Sequence, residues 1–342
     1  MARFSQNHRT SISHFLSNGK WDSEKLREVL RERVCEHIKH MAKKEGQPIF
    51  ISIDDTVNPK KKPSDKAERP MEDASFVYSH LLGKTVWGHQ ALAAVLSTGD
   101  VSLCHTLELR REEKGGKIQQ TTDIAASLPM AERLAYALMD SWYTCSKVID
   151  AFAAKGFHTI GALKVNRIIY PQGIGISIAD FAESCIQKSD ASLVTVGLKK
   201  YWVYRYEGNL NGIDNAVVLI THPEDAFGEA KALRAFICTD TELDSQTILE
   251  YYGKRWNIEV FFKQVKNIFG FGGYQMRSSK GIERFWLILS LTVFYLVTDR
   301  DKALGTAAVQ SRTAVFLDLA LLIYCAGRDG VPFNSLPLPA FC

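Results

Sequence analysis

Tyr252, Arg255, Glu259 and Lys266 fall three, seven and fourteen residues from the first of them, within the stretch Tyr251–Lys266, YYGKRWNIEVFFKQVK. On a continuous helix turning about 100° per residue, those offsets nearly close whole turns. A phenol, a guanidinium, a carboxylate and an amine then share an arc of roughly 60°. Ile258, Phe261, Val265, Ile268 and Phe269 cluster on a neighbouring arc wide enough for a buried stripe, so the polar row borders the core. An acid flanked by cations has two readings. It is a structural ion pair, or it is a metal-ligand carboxylate whose cationic neighbours hold a polyanion above it. The helix alone does not decide, so the question is whether other acids join Glu259.

Two places offer them. Ile49-Phe50-Ile51-Ser52-Ile53 is a short β-branched run with the pattern of a central strand, and it ends on Asp54-Asp55-Thr56. Acids at the tip of a buried strand need solvent, hydrogen bonds or a cation, which marks a candidate site; a simple turn after the doublet is the alternative. Further on, Arg133–Met139 reads as a strand leading to Asp140, followed by a helix over 144–155 that stops at Gly156 and a second strand, His158–Val165. Asp140 therefore stands where open α/β sheets tend to place their sites. A helix N-cap role for Asp140 or Ser141 is the competing explanation.

The elements around these acids follow in order. Residues 1–45 form a helical N-terminal region, with Asp22 or Ser23 capping a helix striped by Leu26, Val29, Leu30, Val34, Ile38 and Met41. Arg9–Leu16 is either the second helix of a small DNA-binding unit or a packing arm. Residues 57–75 read as a loop with Lys60-Lys61-Lys62, a solvated run that becomes a flap over nucleic acid only if the neighbouring acids are catalytic. His89–Ser97 and Val101–Arg110 form a hairpin, and a helix is expected from about 121 to 128. Residues 166–240 form a β-rich insertion, where Trp202, Tyr204 and Tyr206 alternate on one face as packing or as base-stacking residues. Two apolar helices, 284–297 and 313–325, close the chain. The resulting segments are 1–45, 46–165 and 241–285 as the two parts of a core, 166–240 as the insertion, and 286–342 as a helical packing region.

Composition narrows the class. The 342 residues are 46% hydrophobic and 23% charged, those of an ordinary folded chain of one or two domains. Seven scattered cysteines without a C-x-x-C pair argue for reduced thiols in a cytoplasmic setting and against a zinc ribbon or a disulfide framework. His37 and His40 are expected to be a solvated pair. The apolar run 285–297 is too short to span a bilayer, and no signal peptide is expected. The net charge of +4 is modest, but seven Lys/Arg against Glu259 and Glu283 between Lys254 and Arg284 make a local basic field suited to a phosphate backbone.

The succession of strand with Asp54, hairpin, helix, strand with Asp140, helix, strand, insertion and helix with Glu259 is the ribonuclease-H-like layout. The fold expected is α/β, a mixed five-stranded sheet with flanking helices, interrupted by the β-rich insertion before the last helix. In that layout three carboxylates converge, and hard divalent cations with oxygen ligands would neutralise them.

The sequence resembles the DDE transposases of bacterial insertion sequences, in the insertion-sequence-four superfamily with its Y-x2-R-x3-E-x6-K signature. Tyr252, Arg255, Glu259 and Lys266 match that signature; Asp54-Asp55-Thr56 resembles the D-x-T strand end, and Leu138–Tyr143 the L-x-D-x-x-Y element. The similarity covers roughly residues 47–285. It implies a DNA transposase that cuts at terminal inverted repeats and transfers the 3′ ends to target DNA. Asp54, Asp140 and Glu259 would bind two Mg²⁺ or Mn²⁺ ions. Asp54 is preferred to Asp55 because of its spacing to Thr56 and because adjacent strand residues face opposite ways. Tyr252, Arg255 and Lys266, with Lys263, Lys60 and Lys61, would contact DNA. The partner expected is double-stranded DNA, transposon ends and target, bound by a homodimer near the nucleoid, with no membrane. The alternatives are a catalytically inactive transposase-derived DNA-binding protein and a ribonuclease-H-like nuclease without strand transfer.

Overall fold

The computed structural model describes residues 9–298 apart from 65, 67–70, 80–81, 112 and 114; the helix expected over 313–325 lies outside the described residues. In chain order the elements are α1 (Arg9–Asn18), α2 (Ser23–Glu45), β1 (Ile49–Pro59), β2 (Ser75–Ser79), β3 (Lys84–Thr98), β4 (Val101–Leu109), α3 (Gly116–Ala126), β5 (Ala135–Met139), α4 (Ser146–Ala153) and β6 (His158–Leu163). There follow β7 (Ile168–Ile169), β8 (Ile176–Ser177), α5 (Ile178–Cys185), β9 (Ser192–Val196), β10 (Lys199–Leu210), β11 (Ile213–Pro223), β12 (Arg234–Cys238), α6 (Ser245–Gly253), α7 (Trp256–Ile268) and α8 (Ser279–Thr298). The chain divides into two compact units. The first takes Met1–Ile49, Asp54–Lys117 and Asn257–Cys342, the second Phe50–Ile53 and Ile118–Trp256.

The strands make one sheet in the order β2-β3-β1-β5-β6-β12-β11-β10-β7-β8, with β4 on β3 and β9 on β10. β5 and β6 are parallel, joined by α4 as expected, and β3 and β4 form the expected hairpin. The mixed α/β architecture, mostly antiparallel, is compatible with a ribonuclease-H-like transposase fold. It differs from the expected five strands in one respect. The insertion is not a separate β body: β12 pairs antiparallel with β6, from Ala235 opposite Leu163 to Cys238 opposite Ile160, so the sheet runs on to twelve strands. Nothing in a strand's own sequence states which edge it will join, because that edge offers the same backbone groups wherever it lies.

In the first unit, Asp22 caps α2 by accepting from the backbone N–H groups of Glu24 and Lys25. Gly46 ends the helix in the left-handed region, φ 66°, and donates to the Ala42 carbonyl. The predicted stripe of α2 is buried, and so is His37, which lies edge-on to Phe294 while His40 is exposed. The expectation of a solvated histidine pair fails because His37 follows Leu30 and Val34 in phase on the stripe. α8 begins earlier than expected, at Ser279, and its twenty residues would suffice by length and composition to cross a membrane. However, 78% of its apolar window is buried, and it packs on β4, α1 and α2, which makes it the core helix of this unit. Arg284, part of the expected basic field, is buried in it. Its guanidinium donates to Ser23 Oγ and to the carbonyls of Leu16, Gly19 and Trp21, tying the α1–α2 turn to the core.

The second unit buries its sheet on both faces. Along β11, Val218 and Ile220 join a cluster with Ile178 and Phe181 of α5, whereas Val217 and Leu219 join another with Ile248 and Leu249 of α6. That is the period-two alternation of a strand covered on each side. The aromatic row of β10 serves the same purpose. Tyr204 packs edge-on to Phe181, Tyr206 is buried with its hydroxyl donating to the Asn209 carbonyl, and Trp202 meets Phe227.

Candidate functional site

β1 does not end at its acids. It runs to Pro59, so Asp54, Asp55 and Thr56 are strand residues rather than a turn, and they alternate between two faces. Asp55 is engaged on its face: Lys117 Nζ stands 2.6 Å from its Oδ1, and the Gln90 amide donates to its other oxygen. Gln90 in turn accepts from Arg110 at 3.0 Å. Asp54, whose Oδ1 receives the backbone N–H of Asp55 at 2.8 Å, shares the opposite face with Thr56 and Asn58.

The stretch carrying Glu259 is broken. α6 stops at Gly253, Lys254 and Arg255 make three-residue turn bonds to the Tyr251 and Tyr252 carbonyls, and α7 starts at Trp256. The single arc expected for Tyr252, Arg255, Glu259 and Lys266 therefore does not exist, since a helix interrupted at a glycine loses its phase. Tyr252 belongs to the second unit, where its ring lies 4.7 Å from that of Phe236. Arg255 is half-buried in the same unit.

Glu259 and Lys266 remain together on α7 in the first unit, with Glu259 in the first turn, where the helix dipole favours an acid. Lys266 Nζ donates to the Thr56 hydroxyl, and its amine sits 5.9 Å from the centre of the Phe262 ring. Burial lowers its pKa from the usual amine range. Lys263 and Lys61 are exposed. Lys60 is neither mobile nor solvated as expected: its amine donates to the carbonyls of Gly272 at 2.6 Å and Tyr274 at 2.9 Å, 3.6 Å from the centre of the Tyr274 ring. Burial brings its pKa down to about 8. Tyr274 is itself anchored. His89 Nε2 donates to the Glu72 carbonyl, which leaves Nδ1 to accept from the Tyr274 hydroxyl at 2.9 Å.

Asp140 lies in the second unit, directly after the last residue of β5. Its Oδ1 accepts from the Trp142 N–H at 2.8 Å, and its carbonyl accepts from Tyr143 N and Thr144 Oγ1. The N-cap position of α4 is Cys145, so neither Asp140 nor Ser141 caps that helix. Gly161 of β6 makes room for the turn: a Cβ there would come within 2.6 Å of Thr144 Oγ1.

Lys117, Gln90, Asn58 and Tyr274 were not singled out from the sequence. Lys117 and Asp55 lie 62 positions apart, with no local pattern to connect them. Among the described residues, no group of three or more His, Cys, Asp and Glu is placed to hold a metal ion.

A sequence model of the transposase DDE domain matches residues 48–295, from the start of β1 into the last turns of α8. No curated protein matches the chain. The matched span is well over half of the 342 residues and includes all three acids, so the chain belongs to the transposase DDE domain family.

Proposed function

We propose that this transposase cuts DNA at the terminal inverted repeats of an insertion sequence and transfers the freed 3′ ends to target DNA. In this reading it is of the insertion-sequence-four type, and Asp54, Asp140 and Glu259 are its catalytic acids. The observation that carries the reading is the tie between α7 and β1. Lys266 donates to Thr56, so the helix with Glu259 is fastened to the strand face that carries Asp54. The donor set fits Mg²⁺ or Mn²⁺, being all carboxylate oxygen. Asp54, Asp140 and Glu259 would hold two such ions, and their gathering around the metal is part of the proposal. The ions would supply activation of a water or 3′-hydroxyl and neutralisation of the leaving oxygen in an in-line displacement.

The chain's own residues bind and orient the duplex. Arg255, Lys263 and Lys61 would contact phosphates flanking the scissile bond, fixing register without reading sequence. Two protomers, each on one end, would pair the ends before transfer, in the cytoplasm at the nucleoid.

The test uses supercoiled plasmid carrying the DNA that flanks the gene on both sides, incubated with MgCl₂. Joined products are expected from the native chain; nicks alone would point to a nuclease, and binding alone to an inactive descendant. Glu259→Gln is expected to abolish cleavage while leaving end binding largely intact. Cleavage retained in that variant would refute the assignment.

A further inference from the structure

We propose that Trp142 is an end-binding residue: its indole stacks on the terminal base pair of a cut DNA end and holds that end beside Asp140. The inference rests on the reading of Asp140 as a catalytic acid of an enzyme that cuts at inverted repeats.

Trp142 stands two residues past Asp140, and its side chain is 58% exposed. Single exposed apolar side chains are common on surfaces and signify little. This one differs in how it is held. Its backbone N–H donates to Asp140 Oδ1 at 2.8 Å, and the next residue, Tyr143, is fully buried, so the chain on either side of the ring is fixed. Lys164, exposed and one residue past the end of β6, brings its amine to 5.4 Å from the centre of the Trp142 ring. β5 and β6 are parallel, with Met139 opposite Gly161, so Asp140, Trp142 and Lys164 leave the sheet at the same end, all within the second unit. An apolar plate with a cation against it takes hold of a strand by base and backbone together.

The position selects the part of the DNA. For Asp140 to act, the scissile phosphate must come to its carboxylate, and the Trp142 backbone is one hydrogen bond away from that same group. Successive bases follow one another at about 3.4 Å along a strand, so only the nucleotides next to the cut come within a side chain's length of the ring. Inside a continuous duplex those bases are stacked on both sides and offer the ring only their edges. A cut exposes the face of the outermost pair, which an indole can cover without the cost of unstacking. Such a contact forms after cleavage and would retain the freed end until it is joined.

The experiment compares two duplexes of the flanking DNA, one ending at the outermost base pair of the inverted repeat and one continuing past it. Binding is measured in MgCl₂ with Trp142→Ala and Trp142→Phe, each made in the Glu259→Gln chain so that neither duplex is cut. With Trp142 present, the ended duplex should bind about 10-fold more tightly than the continuous one. Trp142→Ala should remove that preference by weakening the ended duplex alone, and Trp142→Phe, which keeps a ring, should retain most of it. Deleting both bases of the terminal pair, with the sugar-phosphate backbone left intact, should weaken binding by the Trp142 chain about 10-fold and by the Ala variant not at all.

The proposal is overturned if Trp142→Ala weakens both duplexes equally or neither, or if the loss on deleting the terminal bases persists without the ring. It falls as well if the Trp142 chain shows no preference for an end. Cleavage by the Glu259→Gln chain itself, or no binding of either duplex, would instead sink the underlying reading and this proposal with it.

Discussion

At the end of β5 the carboxylate of Asp140 is oriented by its own neighbours in sequence: a backbone N–H two residues on, in a turn closed by Tyr143 and Thr144. On β1 Asp54 also takes a neighbour's backbone N–H, that of Asp55, but the residues beside it are held by side chains from far away, Asp55 by Lys117 and Gln90, and Thr56 by Lys266 of α7. The first arrangement needs only room for a turn. The second needs a set of long-range partners, each of which is a point of failure. An acid set by local backbone should therefore tolerate substitution around it, whereas an acid set by distant side chains should not.

The sharpest test of that contrast separates chemistry from holding. Asn at either position keeps an acceptor oxygen but no charge. Asp54→Asn and Asp140→Asn are both expected to reduce plasmid cleavage to background, while Asp140→Asn keeps the Trp142 hydrogen bond and hence the native melting temperature. A large drop in its melting temperature would mean that the turn depends on the charge. Lys117→Met comes next. It takes a cation from beside the Asp55 carboxylate, only 15% exposed, and should cost about 3 kcal/mol in denaturant unfolding. Adding Asp55→Asn should recover much of that loss, and no recovery would deny the pair its role.

Smaller is Gly161→Ala, which crowds Thr144 Oγ1 and should cost about 1–3 kcal/mol by displacing the turn. An unaffected variant would show the turn to be less tightly seated than the β1 network. The smallest effect concerns Lys60. Its folded pKa, about 8, lies below the usual 10.5, so between those values the unfolded chain binds the extra proton and stability rises with pH. Subtracting the pH profile of Lys60→Met from that of the native chain should isolate a modest upward slope in that window; a flat or falling difference would contradict the burial argument.

The same contrast explains what could be read from sequence. The turn at Asp140, the α4 crossover and the β3–β4 hairpin are local, and their residues carry the signals of strand, stop and helix. The α2 stripe was legible because helical phase is local as well. The break before α7 was missed because a glycine inside an otherwise strong helical pattern is usually tolerated. β2 was missed because Ser75–Ser79 follows a polar stretch, and its pairing with Lys84–Gly88 is what makes it a strand. The ion pair of Asp55 with Lys117, and the contacts of Lys60 and Lys266, join positions 62 to 214 apart, which only the folded chain brings together.

The junction of β12 with β6 limits how this enzyme could be made smaller. Excising residues 166–240 to obtain a minimal nuclease would not remove an appendage; it would bare the rim of β6 and strip hydrophobic cover from Ile160 and its neighbours. Such a truncation would present a fresh, sticky seam to other chains, and precipitation in the tube would be the outcome to plan for.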